Sequence, residues 1–398
     1  MPRFVALGLL LCASSTILAD DYKPAICSSA VEYRGSPLHA PVAAAAFAKA
    51  PGDLSGKLDD VLTKQFDAFV DEVLNKSLTP AITAAVGIPG QGLWSTSRGL
   101  ALVDPPTPLA DRSYFHWASV GKAFTATVVM QLIAEQKLSY DTPIAKWLPK
   151  FPNAGVITVD HLLTHTSGIF SFNSDLKFRE ALGYHPPDKL IAIAARHGSE
   201  FCPGELWHYS NTGYVLLARI AEEIEGHPLH VLIGKRILEP LRLTETVALA
   251  PRQQLAGLAT GHVDRKRDPS FEPTTPFGAG NIASSAGDMI RFWQAFLTGK
   301  LLPPSQVEQA FARLYPMFGS PEFYGRGVML YEFEDRQKQK VVWLGHSGGT
   351  PGIKTVMAFD VDAGIFLAVA LNGNFTAEAS ANKLRTIVLE HRATAAKR

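Results

Sequence analysis

A serine and a lysine three residues apart, Ser119-Val120-Gly121-Lys122, open what the helical spacing of Ala123, Phe124, Val128, Met130, Leu132 and Ile133 predicts to be an amphipathic helix. On the first turn of a helix the two side chains share a face, so the amine reaches the hydroxyl or a common neighbour. The helix N-terminus adds backbone N–H groups and a positive dipole end where negative charge can develop. A hydroxyl, an amine and an anion-stabilising surround are what covalent hydrolysis at serine needs. The pair alone says little, because a Ser and a Lys at this spacing arise by chance about once or twice in a chain of ordinary composition. The chain holds such a decoy in Ser174-Asp175-Leu176-Lys177, within a polar stretch. Two further segments set Ser119 apart.

Tyr209-Ser210-Asn211 follows a Pro203-Gly204 turn and Trp207-His208, and enters a helix near Thr212. A phenol beside an ammonium is expected to be pushed toward ionisation, and a tyrosinate near a serine is a competent general base. Asn211 offers an amide to a substrate carbonyl or to the lysine. Taken singly, the tyrosine reads as packing at a helix start and the asparagine as a cap. His346-Ser347-Gly348-Gly349 closes a predicted strand, Val341 to Leu344, ahead of Pro351-Gly352. Small residues on a strand edge let a substrate backbone approach, and a free N–H there completes an oxyanion hole. Taken singly, that segment is a glycine-rich turn.

Elements must bring these segments together. Leu54 to Leu78 carries an apolar stripe and predicts a helix; Ile82 to Val86 and Gly99 to Val103 predict strands joined by the turn near Pro89 to Gly92. Asp160 is expected to cap a short helix stopped by Gly168, Tyr214 to Glu225 is amphipathic, and Asp288 is expected to cap a helix through Leu297. Short β-rich runs fill Gly327 to Leu371, and a last helix holds Leu384 to Leu389. Strands at both ends with helices between them predict one α/β (α+β) core, an antiparallel sheet flanked by helices, interrupted by a mostly helical region at about 140–310.

With 398 residues, 46% hydrophobic and a net charge of +1, the chain can bury a large core and is too balanced to suggest a nucleic-acid partner. Arg3, the apolar run Val5 to Cys12 and Ser14 to Ala19 predict an export signal over residues 1–19, hence a periplasmic or secreted protein. That run is too short for a membrane span. An Ala- and Pro-rich lead-in follows over 20–54. Past the signal, Cys27 and Cys202 permit one disulfide or two buried thiols. His161 and His165 have zinc-helix spacing without its glutamate, and Gly278 to Ala283 mimics a dinucleotide fingerprint without a βαβ unit. No metal or cofactor is expected.

The order Ser-x-x-Lys, Tyr-x-Asn, His-x-Gly resembles the serine β-lactamase and penicillin-binding-protein superfamily, in its class C β-lactamase and D-alanyl-D-alanine carboxypeptidase-like branch. Leu132 to Leu138 with Asp141-Thr142-Pro143, Ile157 to Gly168, and Ala279 to Asp288 look like recurrent segments of the same family, so that the likeness extends over about 55–392. It implies a β-lactamase/transpeptidase-like fold with Ser119 as acylated nucleophile, Lys122 as its activator and Tyr209 as proton carrier. Asn211 would bind the substrate amide, with His346, Ser347 and Gly348 as the third motif. The N–H groups of Ser119 and Gly349 would form the oxyanion hole. The separate deacylating glutamate of class A enzymes has no match. Class C β-lactamases usually carry lysine where His346 stands, and a histidine is largely neutral at pH 7. The departure weighs against β-lactam hydrolysis. The expectation is an exported serine hydrolase acting on a small-molecule or peptide acyl substrate, first a D-alanyl-D-alanine carboxypeptidase-like peptidase. A carboxylic esterase or amidase is the second reading, and a non-catalytic peptidoglycan- or partner-binding relative the third.

Overall fold

Apolar runs near both ends of the chain pair into one sheet. The computed structural model describes residues 23–110, 112–319, 321–373 and 375–397; the export signal expected over 1–19 lies outside the described residues. β1 (Ala81–Ile88), β2 (Gly92–Leu102) and β3 (Thr107–Pro108) come from the N-terminal part. β4 (Tyr315–Pro316), β5 (Glu322–Tyr324), β6 (Met329–Glu334), β7 (Lys340–Thr350), β8 (Ile353–Asp360) and β9 (Ile365–Leu371) come from the C-terminal part. Among the described residues they form a nine-stranded antiparallel sheet in the order β3-β2-β1-β9-β8-β7-β6-β5-β4. The seam is β1 against β9, with Ile82 opposite Leu371, so the two ends of the chain close one structure.

Both central strands are buried along their whole length because helices cover each face. Ile82, Ala84 and Val86 pack with Leu62 and Phe66 of α1 (Asp60–Lys76) and Leu384 of the last helix, α6 (Ala377–Ala395). Ala81 and Ala85 belong to the opposite cluster, with Phe124 of α2 (Gly121–Ala134) and Phe292 of α5 (Ala286–Leu297). Those two rings stack at 3.7 Å between centroids. Each such buried ring contributes about 1.5–3 kcal/mol of transfer free energy.

Local detail departs from the sequence expectations at the helix starts. The helix expected from Leu54 begins at Asp60, where the Asp59 carboxylate accepts the N–H groups of Val61 and Leu62. α3 (Val159–Leu163) is capped by Thr158, in a reciprocal box with His161. Asp160 instead pairs with Arg326 at 2.6 Å. Ser285 caps α5, while the Asp288 carboxylate accepts the Glu245 N–H and the Thr246 hydroxyl. α2 is not amphipathic: every residue from Gly121 to Met130 is buried. It packs against α4 (Asn211–Glu225) and, through Phe124, on Phe292 of α5.

Cys27 and Cys202 form a disulfide. It fastens an extended strap, whose Ala25, Val31 and Arg34 N–H groups donate to the carbonyls of Ser199, Pro203 and Glu205. Among the described residues no helix is long and apolar enough to cross a membrane.

Candidate active site

Ser119 lies in a short turn, Ala118–Val120, that runs into α2. Ala118 is held at φ +45°, an uncommon conformation for a residue with a side chain. The turn packs directly on the chain at Gly280, where a Cβ would lie 2.6 Å from the Ala118 carbonyl oxygen. Glycine is required there by contact. The same close approach brings the Ala279 carbonyl over Lys122.

The Lys122 side chain is fully buried. Its Nζ lies 2.7 Å from Asn211 Oδ1, 2.9 Å from the Ala279 carbonyl and 3.1 Å from Ser119 Oγ. The first two partners can only accept. A neutral amine has two N–H bonds and one lone pair, so both protons are taken and the lone pair meets the Ser119 hydroxyl. Burial pushes this amine well below the ordinary lysine value, which favours the neutral form. A serine hydroxyl facing a neutral amine can be deprotonated on attack.

Asn211 opens α4, and the approach to it fixes its amide. Its backbone N–H donates to Ser171 Oγ and its Nδ2 to Asn173 Oδ1, both at 2.9 Å. Tyr209, half-buried, lies beneath the amine, with 4.9 Å from Nζ to the ring centroid and its phenol on the Ser119 side. Burial drives the phenol well above its ordinary value, and the nearby Ser119 hydroxyl only partly opposes this. That reverses the direction expected from the sequence. Burial outweighs what the neighbouring groups offer the charged form, so the tyrosine stays a phenol and is a proton donor at neutral pH.

The third segment divides. His346 is fully buried, its Nδ1–H donating to the Ser347 carbonyl at 2.6 Å and its Nε2 3.1 Å from the Tyr324 hydroxyl. Burial pushes its imidazole down to about 3, and an ammonium at Lys122 would add to that. Ser347 turns to the other face of the sheet, 3.7 Å from Met329 Sδ and on the side of Glu378. Gly348 packs on the nucleophile, since a Cβ there would stand 2.6 Å from the Ser119 nitrogen. β6 ends where Met329 pairs with Gly345, so β7 continues with a free edge. The Ser347 N–H points to that side, 3.4 Å from Met329 Sδ. Two residues on, the Gly349 N–H shares that orientation and faces the cleft.

Ser119, Lys122, Tyr209, Asn211, Gly348 and Gly349 therefore converge, with the His346 ring behind them and the Ser347 side chain turned away. The cleft, about 460 Å³, opens beside Ser119, Asn211 and Gly349 against an apolar wall of Phe172, Phe178, Leu182 and Phe271. Sequence reasoning missed Ser171 and Asn173, which sit in a polar loop without periodic signal. The decoy pair there, Ser174 and Lys177, is exposed. Of the zinc-like pair, His161 Nδ1 accepts the Thr158 N–H and His165 Nδ1 the Ser210 N–H. Among the described residues no group of three or more His, Cys, Asp or Glu side chains could hold a metal ion.

Comparison with known proteins shows the family and the fold. The β-lactamase family model matches residues 66–391. Penicillin-binding protein 4* of Bacillus subtilis is 32% identical over 303 residues, 71% of this chain and 65% of that relative. The chain thus spans somewhat under two thirds of that protein's length. Esterase EstB of Burkholderia gladioli is 26% identical over 292 residues, 63% of this chain and 74% of its own. The crystal structure of D-amino acid amidase from Ochrobactrum anthropi SV3 shares the fold, with a TM-score of 0.73 at 23% identity over 84% of this chain and 99% of that one.

Proposed function

The chain belongs to the β-lactamase family, and from that premise we propose that it is a serine acyl-hydrolase in which Ser119 is acylated, an exported, D-alanyl-D-alanine carboxypeptidase-like peptidase. One observation carries the mechanism: Lys122 Nζ touches two groups that can only accept, Asn211 Oδ1 and the Ala279 carbonyl, and has Ser119 Oγ as its third neighbour, so that the neutral amine turns its lone pair to Ser119. As Ser119 Oγ attacks the substrate carbonyl carbon, its proton passes to Lys122. The oxyanion is held by the N–H groups of Ser119 and Gly349. When the C–N bond breaks, Tyr209 gives its phenolic proton to the leaving amine and is refilled from the Lys122 ammonium. Water then enters where the amine left, and the same relay runs in reverse to free the acid. The Asn211 amide holds the acyl-side carbonyl, and the apolar wall takes the adjoining side chain. Export is supported by the Cys27–Cys202 disulfide, which persists in oxidising compartments.

A second reading, an amidase or esterase, is favoured by a different observation. His346 is held neutral by burial, and the amine that comes near this segment is that of Lys354 beside Gly349, whose charge burial disfavours. Lys354 donates to the Thr350 carbonyl at 2.7 Å. A leaving group without a carboxylate suits this charge pattern better than one with it. The test is D-alanine release from an acyl-D-alanyl-D-alanine peptide, measured beside the same peptide amidated at its C-terminus and a short acyl ester, with Ser119→Ala as blank. Preference for the free acid supports the peptidase, and preference for the amidated peptide or ester supports the second reading. Turnover retained in Ser119→Ala refutes both.

A further inference from the structure

We propose that His165 is the positioning residue for Tyr209, holding the phenol in line with Ser119. The inference rests on the proton-donor role given to Tyr209 above. The main-chain carbonyl of His165 accepts the N–H of His208 at 3.0 Å, and its side-chain Nδ1 accepts the N–H of Ser210 at 3.2 Å. One residue thus grips the backbone on both sides of Tyr209. Its ring also lies against the tyrosine, with centroids 4.2 Å apart and planes tilted by 38°. Tyr324 and Tyr214 back it from other directions at 4.4 Å and 5.2 Å. The loop can shift toward or away from the serine only by breaking these contacts.

The imidazole is kept at a cost to stability, which argues for a purpose beyond filling space. His165 is 1% exposed and stands at φ +61°. Because Nδ1 accepts, the proton resides on Nε2, and that buried nitrogen has no hydrogen-bond partner among the described residues. A buried donor left unsatisfied destabilises the fold, and an apolar side chain of similar size would avoid the penalty. What an apolar residue cannot supply is the acceptor for the Ser210 N–H.

The test uses the full chain and two substrates sharing one acyl group, an amide and a p-nitrophenyl ester. With the acyl group in common, kcat/KM reports acylation in both. The amine must be protonated as it leaves, whereas p-nitrophenolate leaves without a proton, so the amide-to-ester ratio reads the placement of Tyr209. Tyr209→Phe gives the reference loss. His165→Ala is expected to lower the amide kcat/KM by roughly 100-fold, the scale of an ångström misplacement, and the ester value by less than about tenfold. His165→Asn, which restores a short acceptor and tolerates positive φ, should recover most of the ratio. In the Tyr209→Phe background, His165→Ala should add little. Equal losses on amide and ester, or an Asn variant no better than Ala, overturn the inference. Should His165→Ala fail to fold, His165→Gln takes its place, because its acceptor is displaced by one methylene: a ratio as high as that of His165→Asn overturns the inference. An unchanged ratio in Tyr209→Phe overturns the proposed mechanism instead.

Discussion

Gly348→Ala is the sharpest probe of the convergence at Ser119. The added Cβ would lie 2.6 Å from the Ser119 nitrogen and 2.8 Å from both the Trp117 carbonyl and Thr355 Oγ1. None of these is the free end of a flexible chain, because Thr355 Oγ1 itself donates to the Trp117 carbonyl at 3.1 Å. To reach an ordinary contact of about 3.4 Å, the serine turn must retreat from β7 by about 0.8 Å. That displacement separates the Ser119 N–H from the Gly349 N–H and tilts Oγ away from Lys122. A misplacement near 1 Å costs about 100-fold, or about 2.7 kcal/mol of transition-state stabilisation. Gly349→Ala is the counterpart, for its Cβ meets nothing nearer than 3.4 Å and its N–H is retained. The assay is kcat/KM on an acyl ester, with thermal melts to establish that both variants fold. The expected result is a loss of about 100-fold for Gly348→Ala and of less than about tenfold for Gly349→Ala. Losses of equal size, or full activity in Gly348→Ala, would refute the reasoning.

Two further outcomes follow from burial and covalent bonding. Burial pushes the imidazoles of His346 and His116 down to about 3 and about 4, whereas in the unfolded chain both take up protons below about 6.5. The unfolded state thus binds more protons across that window, so stability falls as pH drops from about 6.5 toward 4. Urea midpoints at pH 7 and 4.5 should show the decline, and His346→Gln should flatten it; an unchanged slope contradicts the assignment. Cys27→Ser opens a loop of 175 residues, for which chain entropy sets a loss of up to about 5 kcal/mol. A lower thermal midpoint is expected, and one unmoved by the substitution would show that the strap does not hold the fold.

How far the sequence could be read depended on whether a signal was local. Ser119 and Lys122 were legible because three-residue spacing at a helix start forces them together. Tyr209 and Asn211 were legible through the resemblance, not through periodicity. The antiparallel sheet with helices on both faces followed from strands at both chain ends. The caps at Asp160 and Asp288 misled because each has a competing hydroxyl within three residues, Thr158 and Ser285, and the acids were needed elsewhere. The helix after Ser119 read as amphipathic because polar Thr125 and Thr127 mimic a wet face. Both are buried, their hydroxyls donating to the carbonyls of Gly278 and Ala123. The ionisation of Tyr209 was inverted for the same reason. Neighbouring charge can be guessed from residue types, whereas burial is a property of the assembled fold. Asn173 and His165 act through bonds between distant segments, and no local pattern announces them.

Burial explains why a lysine can serve as base in this cage. Lys122, His165 and His346 are all buried, and burial pushes each one down. The Lys122 charge disfavours protonation of either imidazole, so the cage does not hold several cations at once. With both imidazoles neutral, a proton that arrives is left to the amine. Its Nζ stands 4.9 Å and 5.6 Å from the ring centroids of Tyr209 and Tyr214, and π faces favour an ammonium once it forms. Under the proposed mechanism that ammonium exists only while an oxyanion stands on the other side of Ser119. The resting site thus avoids the cost of a buried charge and carries a pair of opposite charges only in the intermediate. A lysine in place of His346 would add a second amine to the same buried volume, and its charge would push Lys122 still further toward the neutral form. The histidine keeps the third segment hydrogen-bonded through Tyr324 without that competition, at the expense of a cation that a substrate carboxylate could use.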